Sequence, residues 1–330
     1  MIQIPLYPLR FAPIYEYRLW GGRHLANLLN APLPDDGPIG EAWILSDRDD
    51  HMSHVANGSL NGRTLGELRE QFPEQLMGKL AHHFRRFPLL LKFLDAHEML
   101  SVQVHPTAAR TDLLPVGETA KTEAWVVLEA ATNSRIYAGL KPGTTATNLR
   151  QALTNGTVAD RLAYFTPKPG DAVFIPAGTV HTLGDDVVVF EIQQNSDVTF
   201  RLYDWGHVDA KTGKPRELEV DQALACIDFK NGSAGLMSPV VEVRTPVDRE
   251  RLFNCEFFGL WRVHGDSPFI VGAADELRVL VCLEGAGQVE YNDSPYIVGK
   301  GEVWLFPAEV GACAFHPQSA VTLLEIAIPK

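Results

Sequence analysis

Gly170-Asp-Ala-Val-Phe-Ile-Pro176-Ala-Gly178-Thr-Val-His181 is the stretch on which the reading of this chain turns. Ala172 to Ile175 is a short β-branched and aromatic run fenced by glycine and proline, the pattern of a strand held between two turns. A second copy follows downstream. Gly301-Glu-Val-Trp-Leu-Phe-Pro307-Ala308 repeats the spacing from glycine to Pro-Ala and the acidic residue after the glycine, so the chain contains two related β-units. Further short strands are expected at residues 100–104, 124–128, 187–192, 198–203, 277–283 and 303–306, each bounded by Gly, Pro, Asn or Asp. Helical signals are few: a capping box at Thr64-Leu-Gly-Glu67, a turn or two over 74–80, helical spacing over 147–153, and a short segment after Asp221. Gly285-Ala-Gly287 reads as a hairpin turn, since no helix pattern or Gly-Lys-Ser/Thr follows it. The best linker is Lys230 to Pro239, where Gly, Ser, Asn and Pro concentrate. It places an expected boundary near residue 235.

In the first unit the glycine leads through Pro176 and Gly178 to His181, a spacing that resembles the second motif of cupin barrels, in which the turn delivers a histidine into the barrel mouth. The expectation is a mainly β protein of two cupin-like jelly-roll barrels with a few short helices. The second unit carries Ala312 at the position equivalent to His181, so only the first can hold a metal through this motif. Residues 1–235 are therefore expected to form a metal-binding catalytic domain and 236–330 a degenerate, metal-free one. Partners for His181 come from alternation. In Leu100-Ser-Val-Gln-Val-His105 a strand puts Ser101, Gln103 and His105 on one face, and in Lys121-Thr-Glu123 it sends Lys121 and Glu123 to a common side. Two imidazoles, the Glu123 carboxylate and the Gln103 amide oxygen make a mixed nitrogen and oxygen set suited to Zn²⁺ or a similar divalent ion.

Several longer stretches, taken together, resemble type I mannose-6-phosphate isomerases of the short bacterial kind. They are Leu19-Trp-Gly-Gly22, Ile39-Gly-Glu-Ala-Trp43, Phe87 to Ala96, Leu100 to Pro106, Lys121-Thr-Glu-Ala-Trp125, Gly170 to His181, and Glu191 to Trp205, in family order through about the first 220 residues. The resemblance implies a cupin fold with one zinc ion per chain, ligated at Gln103, His105, Glu123 and His181. It implies a catalytic role for Arg201, in the Thr-Phe-Arg-Leu-Tyr-Asp stretch. About 50 residues separate Glu123 from Pro176, so the helical insertion of longer relatives is absent.

The activity so implied is interconversion of mannose 6-phosphate and fructose 6-phosphate through an enediolate, with the metal as Lewis acid. Arg201 is expected to hold the enediolate or the phosphate, or else to form a salt bridge at the barrel rim with Asp197 or Asp204. Lys121 is expected to transfer a proton, with its ammonium pKa lowered by the cation and burial, or to bind phosphate. An isomerase of another sugar phosphate, an iron oxygenase, or a sugar-binding cupin without turnover are the competing functions.

Composition agrees with an ordinary globular enzyme. The 330 residues are 45% hydrophobic and 21% charged, and a formal net charge of −12 argues against nucleic acid as partner. The four cysteines are widely spaced in the last third, as expected of reduced thiols. Prolines interrupt Met1 to Arg10 where a signal peptide would be apolar, and no apolar run approaches 18 residues, so a soluble cytoplasmic protein, monomer or homodimer, without membrane contact is expected.

Overall fold

The computed structural model describes residues 5–34, 37–230 and 234–329. Part of the N-terminal segment and part of the expected linker, at 231–233, lie outside them. The chain is mainly β, and its strands form sheets of six, five, seven and four strands with a few short helices. The six-stranded sheet is built on the Leu89–Ala96 and Val187–Gln194 strands, paired antiparallel from Val187–Ala96 to Gln194–Leu89. Glu123–Ala130 and Ala172–Ile175 extend it on one side, Ile39–Leu45 and Ile14–Gly22 on the other. The five-stranded sheet runs from Phe200–Tyr203 through Val102–Val104, His181–Thr182 and Ile136–Leu140 to Leu162–Phe165.

Alternation explains how a single strand serves two interfaces. Leu89, Leu91 and Phe93, with Val188, Phe190 and Ile192 across the pair, pack into a core shared with Leu260, Val279, Leu305, Leu324 and Ile326 of the seven-stranded sheet. Their neighbours Leu94, Ala96, Val187 and Val189 join Leu100, Ile136 and Leu183 in a core between the six- and five-stranded sheets. Lys92 and Glu191 occupy that second face. A third core, with Val271, Val289, Val298 and Phe315 against Leu280, Trp304 and Leu323, lies between the seven- and four-stranded sheets.

Both copies of the repeated stretch take the same form. The strands Ala172–Ile175 and Val303–Phe306 are each preceded by a glycine with positive φ, Gly170 at 89° and Gly301 at 82°, a turn that favours glycine. At Gly301 an added Cβ would also meet the Leu28 carbonyl at 2.1 Å. The Thr64 capping box forms over the Leu65–Gln71 helix, and a second one, Thr145 with Asn148, caps Ala146–Thr154. The short C-terminal helix of the first half is Val220–Cys226, with Glu219 at the N-cap position making no side-chain cap, so Asp221 falls in its first turn. Gly285 does not close a hairpin. It turns the chain from the Arg278–Glu284 strand of the seven-stranded sheet into the Ala286–Tyr291 strand of the four-stranded one. The cysteines are free, with Cys226, Cys282 and Cys313 buried and Cys255 half-buried. No helix among the described residues is long and apolar enough to cross a membrane.

Candidate metal centre

The backbone register brings the expected ligands together. His181 lies opposite Gln103 in the five-stranded sheet, and Arg201 lies opposite Gln103 on its other side. Glu123 comes from the facing sheet, opposite Gln193 and Ile175. Val102 and Val104 point into the outer core, so Ser101, Gln103 and His105 take the inner face that alternation required.

His105, Glu123 and His181 form a fully buried cluster that could hold a metal ion. Nε2 of His105 is 3.2 Å from Oε2 of Glu123, and Nε2 of His181 is 3.1 Å from Oε1. The Nδ1 atoms face outward, each 2.8 Å from a backbone carbonyl, Val198 for His105 and Thr179 for His181. Donation by Nδ1–H to those carbonyls leaves each neutral ring with an Nε2 lone pair aimed at a carboxylate. Burial first, and the charge of Lys121 next, lower the His105 pKa to about 4, so this ring is neutral near pH 7. Nε2 of His105 and Oε1 of Glu123 are buried without a hydrogen-bond partner among the described residues, and Oε2 of Glu123 meets the Lys121 ammonium at 3.0 Å. Acceptors facing acceptors in a dry interior repel, and a cation among them removes the conflict. The donor set therefore fits a divalent ion. Gln103 completes it, its side-chain amide 3.3 Å from Nε2 of His181 and able to present oxygen by rotation.

Above the cluster opens a cavity of about 420 Å³, into which Gln103 and Lys121 reach from below. Lys121 Nζ is 3.0 Å from Oε2 of Glu123. Burial works to lower its ammonium pKa, as expected from sequence, while the carboxylates of Glu123, Glu191 and Asp197 outweigh it and raise it; the lowering expected from sequence also drew on the charge of the cation. Arg201 lines the same cavity and pairs with neither Asp197 nor Asp204. It donates Nε to Ser101 Oγ at 3.3 Å and Nη1 to the Glu217 carbonyl at 2.9 Å. Tyr203 leaves this face, because the ladder slips between Arg201 and Tyr203 and the ring joins the outer core.

Further cavity residues escaped sequence reasoning. Lys92 lies 4.2 Å over the Trp43 ring and 3.7, 3.9 and 3.6 Å from carboxylate oxygens of Glu41, Glu191 and Asp197. Two indoles hold two of these acids, Trp43 donating to Glu41 at 2.6 Å and Trp125 to Glu191 at 2.8 Å. Burial, and then the charge of Glu123, raise the Glu191 carboxyl above its ordinary range. The signal was present as a lysine inside Leu89-Leu-Leu-Lys-Phe-Leu and a glutamate inside Val187-Val-Val-Phe-Glu-Ile, charges that must be partnered where both faces are buried.

Residues 9–138 match the phosphomannose isomerase type I catalytic domain. The chain is 33% identical to mannose-6-phosphate isomerase ManA of Bacillus subtilis over 314 residues, covering 92% of this chain and 94% of that protein. It is 31% identical to the mannose-6-phosphate isomerase of Streptococcus mutans over 310 residues, covering 93% and 95%. Its fold is similar to the crystal structure of the mannose 6-phosphate isomerase from Bacillus subtilis, with a TM-score of 0.89, 30% identity and coverage of 97% of this chain and 99% of that one. With identity of this order sustained over nine-tenths of its length, the chain belongs to the type I mannose-6-phosphate isomerases, a family of enzymes.

Proposed function

We propose that this chain interconverts mannose 6-phosphate and fructose 6-phosphate through an enediolate, with one zinc ion held by Gln103, His105, Glu123 and His181. The observation that carries the reading is the buried set of Nε2 and carboxylate lone pairs turned on one another beneath an open polar cavity. When bound, zinc supplies a Lewis acid that polarises the sugar oxygens as negative charge develops on them. The chain's own residues do the rest. Arg201 binds the anionic substrate with its planar fork, oriented by Ser101 and the Glu217 carbonyl. Lys121, anchored on Glu123, places an ammonium at the cavity floor and moves a proton at a substrate oxygen. Aldose–ketose exchange also requires a group to carry a proton between neighbouring carbons, and Glu191 suits it as a carboxyl in the cavity wall whose proton affinity is raised.

The same reading makes residues 1–235 the catalytic domain and 236–330 a metal-free one. Supporting it, strands from Val240 to Ala327 pair among themselves, joined among the described residues by one strand from the first part, Leu9–Arg10 beside Val303–Phe306.

Purified protein tests this directly. Elemental analysis should find close to one zinc per chain, and mannose 6-phosphate should yield fructose 6-phosphate with solvent deuterium entering at C1. A protein that isomerises another phosphosugar in its place, or that binds sugar phosphate without turnover, would overturn the proposal.

A further inference from the structure

The stretch His82-His-Phe-Arg-Arg86 gathers cations on a chain of net charge −12, and the metal centre uses none of them. Residues 83–88 form one side of a second cavity of about 580 Å³, larger than the catalytic one and within the range that takes a small organic ligand. Phe84, Phe87, Phe257, Ile328 and Pro329 give it an apolar lining. Phe87 and Ile328 are buried, whereas Phe84 is 38% exposed, so the cavity runs from an open lip to a buried end.

The polar groups of the lining say what fills it. Arg85 is exposed and has no ion pair or hydrogen bond among the described residues. Its neighbour Arg86 spends Nη2 on Asp49 at 2.6 Å, and Glu256 is the one carboxylate in the lining among the described residues. An unspent guanidinium beside phenylalanines suits an anion with a flat apolar body, the fork taking the acid and the rings taking the body. Asn195, also in the lining, donates Nδ2 to the carbonyls of Phe87 at 2.8 Å and Asp47 at 3.2 Å. Its Oδ1 turns away from both and is buried with no donor among the described residues, a deficit that an N–H of the ligand makes good.

The same two chain segments line both cavities. Thr119 and Asn195 line this one, and Lys121 and Asp197, each two residues further on, line the catalytic one. Between them the segments are stitched together. Gln194 accepts the Thr122 amide on Oε1 at 2.9 Å and donates its own amide to the Thr122 carbonyl at 3.1 Å, and the Asp197 amide donates to the Glu118 carboxylate at 3.4 Å. We propose that this second cavity is an effector site for a small organic anion with a flat apolar body and an N–H donor, which activates the enzyme by fixing both segments before substrate arrives. Substrate then pays less to order the wall that carries Lys121 and Asp197. The activation rests on the isomerase reading of the catalytic cavity; the site itself does not.

Zinc-loaded protein and its Arg85→Gln variant test the site, with indole-3-acetate as the probe. Tryptamine reverses the probe's charge, and 1-naphthaleneacetate removes its N–H. Calorimetry should show indole-3-acetate bound, weakened roughly 10-fold by Arg85→Gln or by loss of the N–H, and tryptamine not bound. Because Arg85 is exposed, the variant removes the charge without disturbing the core. Saturating indole-3-acetate should lower KM for mannose 6-phosphate roughly fivefold, and mannose 6-phosphate should tighten indole-3-acetate binding by a similar factor, since coupling between two ligands is mutual. Equal binding of tryptamine, affinity that Arg85→Gln leaves unchanged, or an unchanged KM would overturn the proposal. Mutual tightening of indole-3-acetate and mannose 6-phosphate in a chain that isomerises no sugar phosphate would uphold the effector site and sink the isomerase reading; normal turnover with no binding of indole-3-acetate would sink the effector site alone.

Discussion

Oε2 of Glu123 stands 3.2 Å from Nε2 of His105, a nitrogen with no hydrogen-bond partner among the described residues, while the Lys121 ammonium reaches the same oxygen at 3.0 Å. Two buried acceptors at that distance define a place for a cation, and Glu123 repeats the arrangement with His181 through its other oxygen at 3.1 Å. His181→Ala should therefore remove most bound zinc and abolish isomerisation together. Inductively coupled plasma analysis beside the activity assay checks it: a variant retaining stoichiometric metal and normal turnover would rule out this centre.

Stripping the metal should lower stability as well as activity, because the ligands are then left buried and opposed. Chelated protein is expected to melt several degrees below the zinc-loaded form, with the gap closing on zinc addition, since a ligand bound only by the folded state stabilises it by mass action. Identical melting curves with and without zinc would contradict it.

Arg201→Ala should lower kcat/KM by roughly 100-fold or more while metal content stays unchanged, since its contacts are with Ser101 and Glu217 and not with the metal ligands. If the variant loses its zinc, the arginine is holding the fold of the site and not the substrate.

Glu41 gives a pH signature. Burial pushes its carboxyl up, but Lys92, Arg18 and the Trp43 indole outweigh that and hold it at about 2, below the ordinary value of 4.5. A carboxyl depressed on folding adds stability that is complete above 4.5 and drains away as pH falls toward 2. The contribution is on the order of 3 kcal/mol for a shift of this size. Urea unfolding of metal-free wild type and Glu41→Gln should show a difference that is largest near pH 6 and shrinks toward pH 3. A difference independent of pH would show that Glu41 contributes through shape alone.

Phe190 tests the outer face of the same sheet. It is fully buried against Phe93, with ring centroids 5.3 Å apart. Phe190→Ala should cost about 3–5 kcal/mol in denaturant unfolding and leave the zinc stoichiometry of the folded fraction intact.

The candidate ligands were legible because period-2 alternation and a glycine- and proline-anchored turn fix which side chains share a face, and those rules are local. Gln103, His105 and His181 follow from them directly. What could not be read was charge balance, which depends on layers brought together from distant sequence. Lys121 read as a lysine weakened by a cation and by burial, and the carboxylates of Glu191, from another strand, and Asp197, from a loop, join the neighbouring Glu123 in pulling the other way. Lys92 sat in an apolar run whose inward face shows only once the sheets are stacked. Gly285 was misread for a related reason: a glycine turn between strands looks the same whether the chain doubles back or changes sheet.

The Leu89–Ala96 and Val187–Gln194 strands are spoken for on both sides, with phenylalanines locked to the C-terminal sheet and charged residues turned to the cavity. Such a beam leaves little room for independent tinkering: slipping either strand by a single position would exchange grease for charge across the whole assembly. New substrate preferences are thus easier to reach by altering the loop between the Phe200–Tyr203 strand and the Val220–Cys226 helix, at the cavity's rim, than by recutting the strands beneath it.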